Sequence, residues 1–217
     1  MKTDLCPGNG ETRLFASPPQ MVAGVDEVGR GPLAGPVVAG AVILDPNRPV
    51  DGLADSKTLS VNRRQRLALE IQQCAIAWSV AWADSAEIDS LNILQASLLA
   101  MRRAVFGLWV APSFLCVDGN RLPHMQFYGA QIDGDAIVGG DGSHAAISAA
   151  SIVAKVHRDQ MMVKLDAIYP DYGFSRHKGY GTEAHRESLE RVGPCPEHRR
   201  SFRPVAIALA NQMTNNI

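Results

Sequence analysis

Two short apolar runs, Val22 to Asp26 and Val37 to Leu44, are separated by little more than the glycine-rich segment Gly29-Arg30-Gly31-Pro32-Leu33-Ala34-Gly35-Pro36. A connection so short and so rich in glycine and proline joins strand to strand, so the folded part of the chain opens as β-sheet. Asp45-Pro46-Asn47 closes the second strand as a turn. Ser60 then offers an N-cap for a helix over 61–73, with Arg63, Arg64 and Arg66 expected in solvent. Ala75 to Ala83 suits a third strand. Ile88, Leu91, Leu94, Leu98, Met101 and Val105 recur at steps of three or four, which predicts one amphipathic helix. Phe114 to Asp118 and Ile132 to Val138 read as further strands. A helix from Ser143 to about Ile168 carries small residues on one face, and another begins at Thr182. Strands first, then strands alternating with helices, predict an α/β fold, a sheet layered by helices.

Composition narrows the function classes. Among 217 residues, 46% are hydrophobic and 20% charged, which excludes a disordered or fibrous chain. The longest apolar run, Val37 to Leu44, is far short of the roughly 20 residues of a membrane helix. The opening MKTDLCPGNG lacks the apolar stretch of a secretory signal, and residues 1–20 read as a flexible leader. Cys6, Cys74, Cys116 and Cys195 form no CxxC pair and suit free thiols in a reducing cytosol, so a cytoplasmic protein is expected. Net charge is −1, but residues 1–150 hold 11 basic against 15 acidic groups and residues 151–217 hold 10 against 7. That asymmetry fits either a phosphate-gripping tail beside a metal-collecting body or an ordinary solvated helix face.

The acids carry the most specific chemistry. Asp26 and Glu27 close an apolar strand beside glycine, Asp118 closes FLCV before Gly119, and Asp141 follows Val138-Gly139-Gly140. Open α/β sheets build their sites at such carboxyl ends. Because strand neighbours point to opposite faces, Asp26 and Glu27 converge only if the strand loses its pleat there. Four carboxylates in one place repel by about 4 kcal/mol per pair at 4 Å with an effective dielectric near 20, and divalent cations relieve that repulsion. Oxygen donors alone point to Mg²⁺ or Mn²⁺ over Zn²⁺. The competing reading makes these acids turn residues, with Asp141 an N-cap for the helix near Ser143.

The segment after Asp26-Glu27 also fits a loose dinucleotide fingerprint through Gly29, Gly31 and Ala34, but a strand follows it where that motif needs a helix. Otherwise it is a loop whose bare backbone approaches a ligand, with Arg30 free for a phosphate. Further basic candidates are Lys57, Lys155, Arg158, Arg176, Lys178, Arg199, Arg200 and Arg203. Tyr180, between glycines, is either an exposed stacking group or a turn tyrosine with a buried ring. Cys195 and His198 form a CxxH with no second pair of zinc-like spacing.

VAGVDEVGRGPLAGPVVAGAVIL, LADSKTLS, CVDGNR, GGDGSHAAISAASIVAKVHRD, YPDYGFSRHKGYGT and HRRSF occur in the order seen in bacterial type 2 ribonuclease H, and over residues 20–209 the chain resembles that ribonuclease HII family. The resemblance implies a ribonuclease H-like fold: a central mixed five-stranded sheet flanked by helices over residues 21–170, and a helical C-terminal segment over 171–217 that contacts the duplex. It implies a monomeric endonuclease, dependent on Mn²⁺ or Mg²⁺, acting on RNA–DNA hybrids and on duplex DNA with embedded single ribonucleotides. Asp26, Glu27, Asp118 and Asp141 correspond to the catalytic, metal-binding quartet. Gly29, Arg30 and Gly31 correspond to the loop that senses the ribose 2′-hydroxyl, Tyr180 to the group probing the sugar at the RNA–DNA junction, and Lys57 to a phosphate contact. Lys155, Arg158, Lys178, Arg199 and Arg200 are further expected phosphate contacts. The family often has KGDS where this chain has Gly139-Gly140-Asp141-Gly142, so a lysine and a serine beside the fourth acid are missing. The related ribonuclease HIII carries an extra N-terminal substrate-binding domain, for which twenty residues are too few.

Overall fold

The computed structural model describes residues 21–53, 56–127 and 130–215, so the leader expected over 1–20 lies outside the described residues. The two expected opening strands, β1 (Val22–Val28) and β2 (Val37–Ile43), pair antiparallel, with Asp26 opposite Gly40 and Val28 opposite Val38. Helix α1 (Val61–Cys74) starts at the Ser60 cap, whose hydroxyl accepts from the Arg63 amide. Strand β3 (Ala77–Ala83) pairs antiparallel with β2. Then come α2 (Ser85–Leu91), α3 (Ile93–Phe106) and β4 (Phe114–Asp118), the last parallel to β1. A two-stranded excursion, β5 (Gln126–Phe127) with β6 (Ala130–Gln131), precedes β7 (Asp133–Ile137), which lies parallel to β4. The result is a mixed five-stranded sheet in the order β3-β2-β1-β4-β7.

Helix α4 (Ala145–Ile168) packs on one face of the sheet together with α1, and α3 packs on the other. β2 is buried from end to end, which is why its sequence is apolar without alternation. α4 lies unusually close to the sheet: a Cβ on Gly24 would stand 2.0 Å from the Ala146 carbonyl carbon, and one on Gly40 would stand 2.4 Å from the Ala150 oxygen. Only glycine fits under a helix at that distance. The chain finishes with α5 (Phe174–His177), α6 (Glu183–Val192) capped by Thr182, and α7 (Arg203–Asn215). Among the described residues no helix is long and apolar enough to cross a membrane.

Two expectations need correction. The single helix expected from Ile88 to Val105 is two, broken at Asn92, which takes the left-handed φ of 70° and caps α3 through its side chain onto the Leu94 and Gln95 amides. Arg64, expected in solvent, is buried. Its Nε donates to the Ser56 carbonyl at 2.7 Å and its Nη2 to the Leu59 carbonyl at 2.8 Å, so it pins the segment before α1.

Candidate active site

Asp26 and Glu27 stand inside β1, paired with Gly40 and Ala39, and the strand keeps its pleat through Val28. The loss of pleat on which their convergence was expected to depend does not occur; Glu27 is nevertheless near enough that its charge raises the Asp26 carboxyl and the charge of Asp118 raises its own. Asp26 shares the α4 side with Gly24, two residues earlier, and Glu27 lies on the opposite side at the same edge. Asp118 ends β4; since Cys116 is level with Gly24, Asp118 falls on the Asp26 side. Asp141 sits on a 3-10 turn, Gly140–Gly142, at the approach to α4. The N-cap of α4 is His144, so the capping role considered for Asp141 is not the one the fold uses. Asp118 Oδ1 accepts from the Gly140 amide at 2.8 Å and so ties the end of β4 to the turn that carries Asp141.

The electrostatics follow from that gathering. Asp26 is 4% exposed, and burial first, then the charges of Glu27 and Asp118, push its carboxyl up to about 8. A hydrogen bond from Ser151 on α4 acts the other way. Burial also raises the Glu27 carboxyl, against the pull of Arg30. Each acid has a donor from the protein. Asp26 Oδ1 accepts from the Glu27 amide at 2.7 Å, Glu27 Oε1 pairs with Arg30 Nη1 at 3.1 Å, and Asp141 Oδ2 pairs with Lys57 Nζ at 3.1 Å.

Among the described residues no three acidic, histidine or cysteine groups stand ready-placed around one ion. The donor set nevertheless suits a hard divalent cation: it is all oxygen, and the charges of Glu27 and Asp118 both act on the buried Asp26 carboxyl. Lys57 and Arg30 supply part of the balancing positive charge, and an incoming cation would take their places on Asp141 and Glu27.

The Gly29–Pro36 loop leads directly into β2, which removes the dinucleotide reading. Tyr180 lies beside this loop, its ring 3.7 Å from where a Gly31 Cβ would be, and it is 45% exposed, which settles against the buried turn tyrosine.

The basic candidates divide. Arg158 and Arg199 are 0% exposed and donate to main-chain carbonyls, so neither reaches a phosphate; here the expectation was wrong. Lys155 is held by Asp159 at 2.7 Å, and Lys178 donates to the Ser175 carbonyl. Arg200 is exposed, with its amide anchored on Asp89 at 2.8 Å.

From the sequence, Ser56 and Ser151 come into view only as nucleophiles without a Ser–His–Asp pattern; in the fold their hydroxyls meet at 2.9 Å, and Ser151 hydrogen-bonds Asp26. The CxxH belongs to a buried cluster. Cys195 Sγ is 3.2 Å from His198 Nδ1, and His198 Nε2 is 3.0 Å from His185 Nε2, with no metal-holding group among the described residues.

The model of the family described as ribonuclease HII matches residues 23–205. Ribonuclease HII of Acinetobacter baylyi is 59% identical over 189 residues, covering 87% of this chain and 98% of that protein. The enzyme of that name from Idiomarina loihiensis is 53% identical and is covered completely, against 88% of this chain. Among solved structures, the ribonuclease H2 of Pyrococcus horikoshii is similar at 26% identity with a TM-score of 0.73, over 89% of this chain and 99% of that one. The ribonuclease HII of Archaeoglobus fulgidus, solved as a complex with PCNA, is similar at 25% identity with a TM-score of 0.64, over 87% and 96%. With its mixed sheet, helical C-terminal part and acids at the strand ends, the chain belongs to the ribonuclease HII family, metal-dependent nuclease hydrolases that act on RNA in RNA–DNA hybrids.

Proposed function

We propose that this chain is an endonuclease that hydrolyses the RNA strand of RNA–DNA hybrids and also cuts on the 5′ side of a single ribonucleotide in duplex DNA, leaving a 3′-hydroxyl and a 5′-phosphate. The observation that carries this reading is the approach of Asp26, Glu27, Asp118 and Asp141 to one sheet edge, immediately beside the glycine loop and Tyr180. Two Mg²⁺ or Mn²⁺ ions held by the quartet would activate a water and stabilise the departing 3′-oxygen.

The remaining roles fall to the chain. The main chain of the Gly29–Gly31 turn reads the 2′-hydroxyl that distinguishes RNA from DNA. Arg30, half exposed, lies within reach of the same strand as the acids. Tyr180 packs its ring against the sugar at the junction. Lys57 exchanges Asp141 for a phosphate when substrate enters, and Lys155, Lys178 and Arg200, with the helical segment after residue 170, face the duplex backbone. The enzyme works as a cytoplasmic monomer in the removal of misincorporated ribonucleotides.

The test is a labelled duplex carrying one ribonucleotide, incubated with Mg²⁺, Mn²⁺ or EDTA. Cleavage 5′ of the ribonucleotide with either metal and none in EDTA is expected; an intact duplex in every tube overturns the reading. Asp26→Asn is expected to abolish cutting while hybrid binding persists, whereas a protein that only binds hybrids would show no cleavage to lose.

A further inference from the structure

Two arginines lie fully buried behind the glycine loop, and the same loop receives almost all of their hydrogen bonds. Arg199, from the C-terminal segment, donates Nε to the Gly35 carbonyl at 3.0 Å and Nη1 to Arg30 at 2.8 Å. Its Nη2 donates to Gly29 at 2.6 Å and to Gly35 at 2.9 Å. Arg158, from α4, donates to the carbonyls of Pro36 at 3.0 Å and Ala34 at 3.4 Å, and its Nη1 reaches the Lys178 carbonyl at 3.0 Å. That last bond attaches the segment carrying Tyr180 to the same brace.

Main-chain bonds complete the frame. The Leu33 amide donates to Gly179 at 2.8 Å, the Gly35 amide to Glu197 at 2.9 Å, and the Arg199 amide to Leu33 at 2.9 Å. Gly29 has the left-handed φ of 95°, and a Cβ there would stand 2.1 Å from Arg158 Nε, so the loop lies flat on the guanidinium. Leu33 and Ala34 drive their side chains into the apolar clusters of the C-terminal segment.

Burying two like charges a few ångströms under one loop is a costly way to gain stability alone, since apolar side chains of equal volume commonly serve as well. A guanidinium offers five donors in a rigid plane, which fixes several carbonyls relative to one another as no apolar group does. We infer that Arg158 and Arg199 are positioning residues that set the main-chain conformation of the Gly29–Pro36 loop and its registry with Tyr180, and thereby the discrimination between ribonucleotide and deoxyribonucleotide. The inference rests on the proposed reading of this loop as the ribose sensor. It places the determinant of sugar selectivity partly in side chains that never touch substrate.

The test uses the full chain with Arg199→Lys and Arg158→Lys, which keep the charge and lose the planar fork. Affinity is measured in EDTA for a duplex with one ribonucleotide and for its all-DNA counterpart, alongside kcat and KM in Mn²⁺ and calorimetric Mn²⁺ binding to the free protein. The variants are expected to lose most of the wild-type preference for the ribonucleotide duplex and at least tenfold in kcat, with all-DNA affinity and Mn²⁺ binding within twofold of wild type. A wild type that cuts, beside folded variants with its full preference and kcat, overturns the inference; a wild type that fails to cut overturns the functional reading instead. Should the variants not fold, hydrogen exchange on the wild type decides: the Leu33 and Gly35 amides, which donate to Gly179 and Glu197, are expected to exchange as slowly as the Arg199 amide. Free exchange of those two amides beside a protected Arg199 amide overturns the brace.

Discussion

Replacing Asp26 by asparagine in metal-free protein should stabilise it, and the gain should grow with pH. The Asp26 carboxyl is pushed from 3.8 to about 8 by burial and by its acidic neighbours. Between those values the unfolded carboxyl is ionised and the folded one neutral. The native state therefore carries a penalty that is absent below pH 3.8, increases as pH rises, and reaches its full size once pH passes about 8. At about 1.4 kcal/mol per pH unit, the penalty is about 2 kcal/mol at pH 5 and about 4 kcal/mol at pH 7, as upper figures.

Asparagine does not ionise, and its Oδ1 can still accept from the Glu27 amide, which Asp26 Oδ1 does at 2.7 Å. For a chain of this size each kcal/mol moves the melting temperature by about 2–4 °C, so scanning calorimetry in EDTA should place Asp26→Asn about 10 °C above wild type at pH 7 and about 4 °C above it at pH 5. Saturating Mn²⁺ should narrow or reverse the gap, because wild type gains the ligand's binding energy and the variant gains less. A variant that melts at or below wild type in EDTA at pH 7, or a gap indifferent to pH, would refute the reasoning.

Other expectations follow from the same geometry. Lys57→Met removes the ammonium 3.1 Å from Asp141, so calorimetry should show tighter Mn²⁺ binding to the free protein, while duplex affinity falls and its salt slope decreases by about one. Tyr180→Ala, at an exposed ring, should leave the melting temperature within a degree or two. It should lower cleavage at a lone ribonucleotide by about 5- to 100-fold, the equivalent of one stacked ring; equal losses of stability and activity would assign the ring to the core. Burial holds His185 and His198 down to about 4, so the stability they contribute is complete above pH 6.5 and lost as pH falls toward 4. His185→Phe should flatten that acid limb in a pH series of melting curves.

The strands were legible because four of the five central ones are short apolar runs punctuated by glycine, proline or acid, and such runs have few alternatives. β7, Asp133–Ile137, was placed within a residue at each end despite its two aspartates. The break at Asn92 was not legible, because Leu91 and Leu94 keep the three-residue spacing straight across it. The acids could be picked out by position, at strand ends beside glycine, but the face each one takes depends on register with a distant strand.

The buried arginines mark a deeper limit. Arg64, Arg158 and Arg199 have the residue type of a surface, and what buries them is a set of carbonyls up to 170 residues away in sequence. No local pattern announces that. Lys155 is a milder case, since its partner Asp159 is four residues on along the same helix face and a charge-pair reading would have found it.

Whether Asp26-Glu27, Asp118 and Asp141, from three separate parts of the chain, form one cation-holding centre is tested most directly by a crystal grown with Mn²⁺, through the metal's anomalous scattering. Manganese is expected in contact with the carboxylates of Asp26, Glu27, Asp118 and Asp141, with the Lys57 ammonium withdrawn from Asp141. Manganese absent from these carboxylates at saturating concentration, or bound only elsewhere on the molecule, would contradict it.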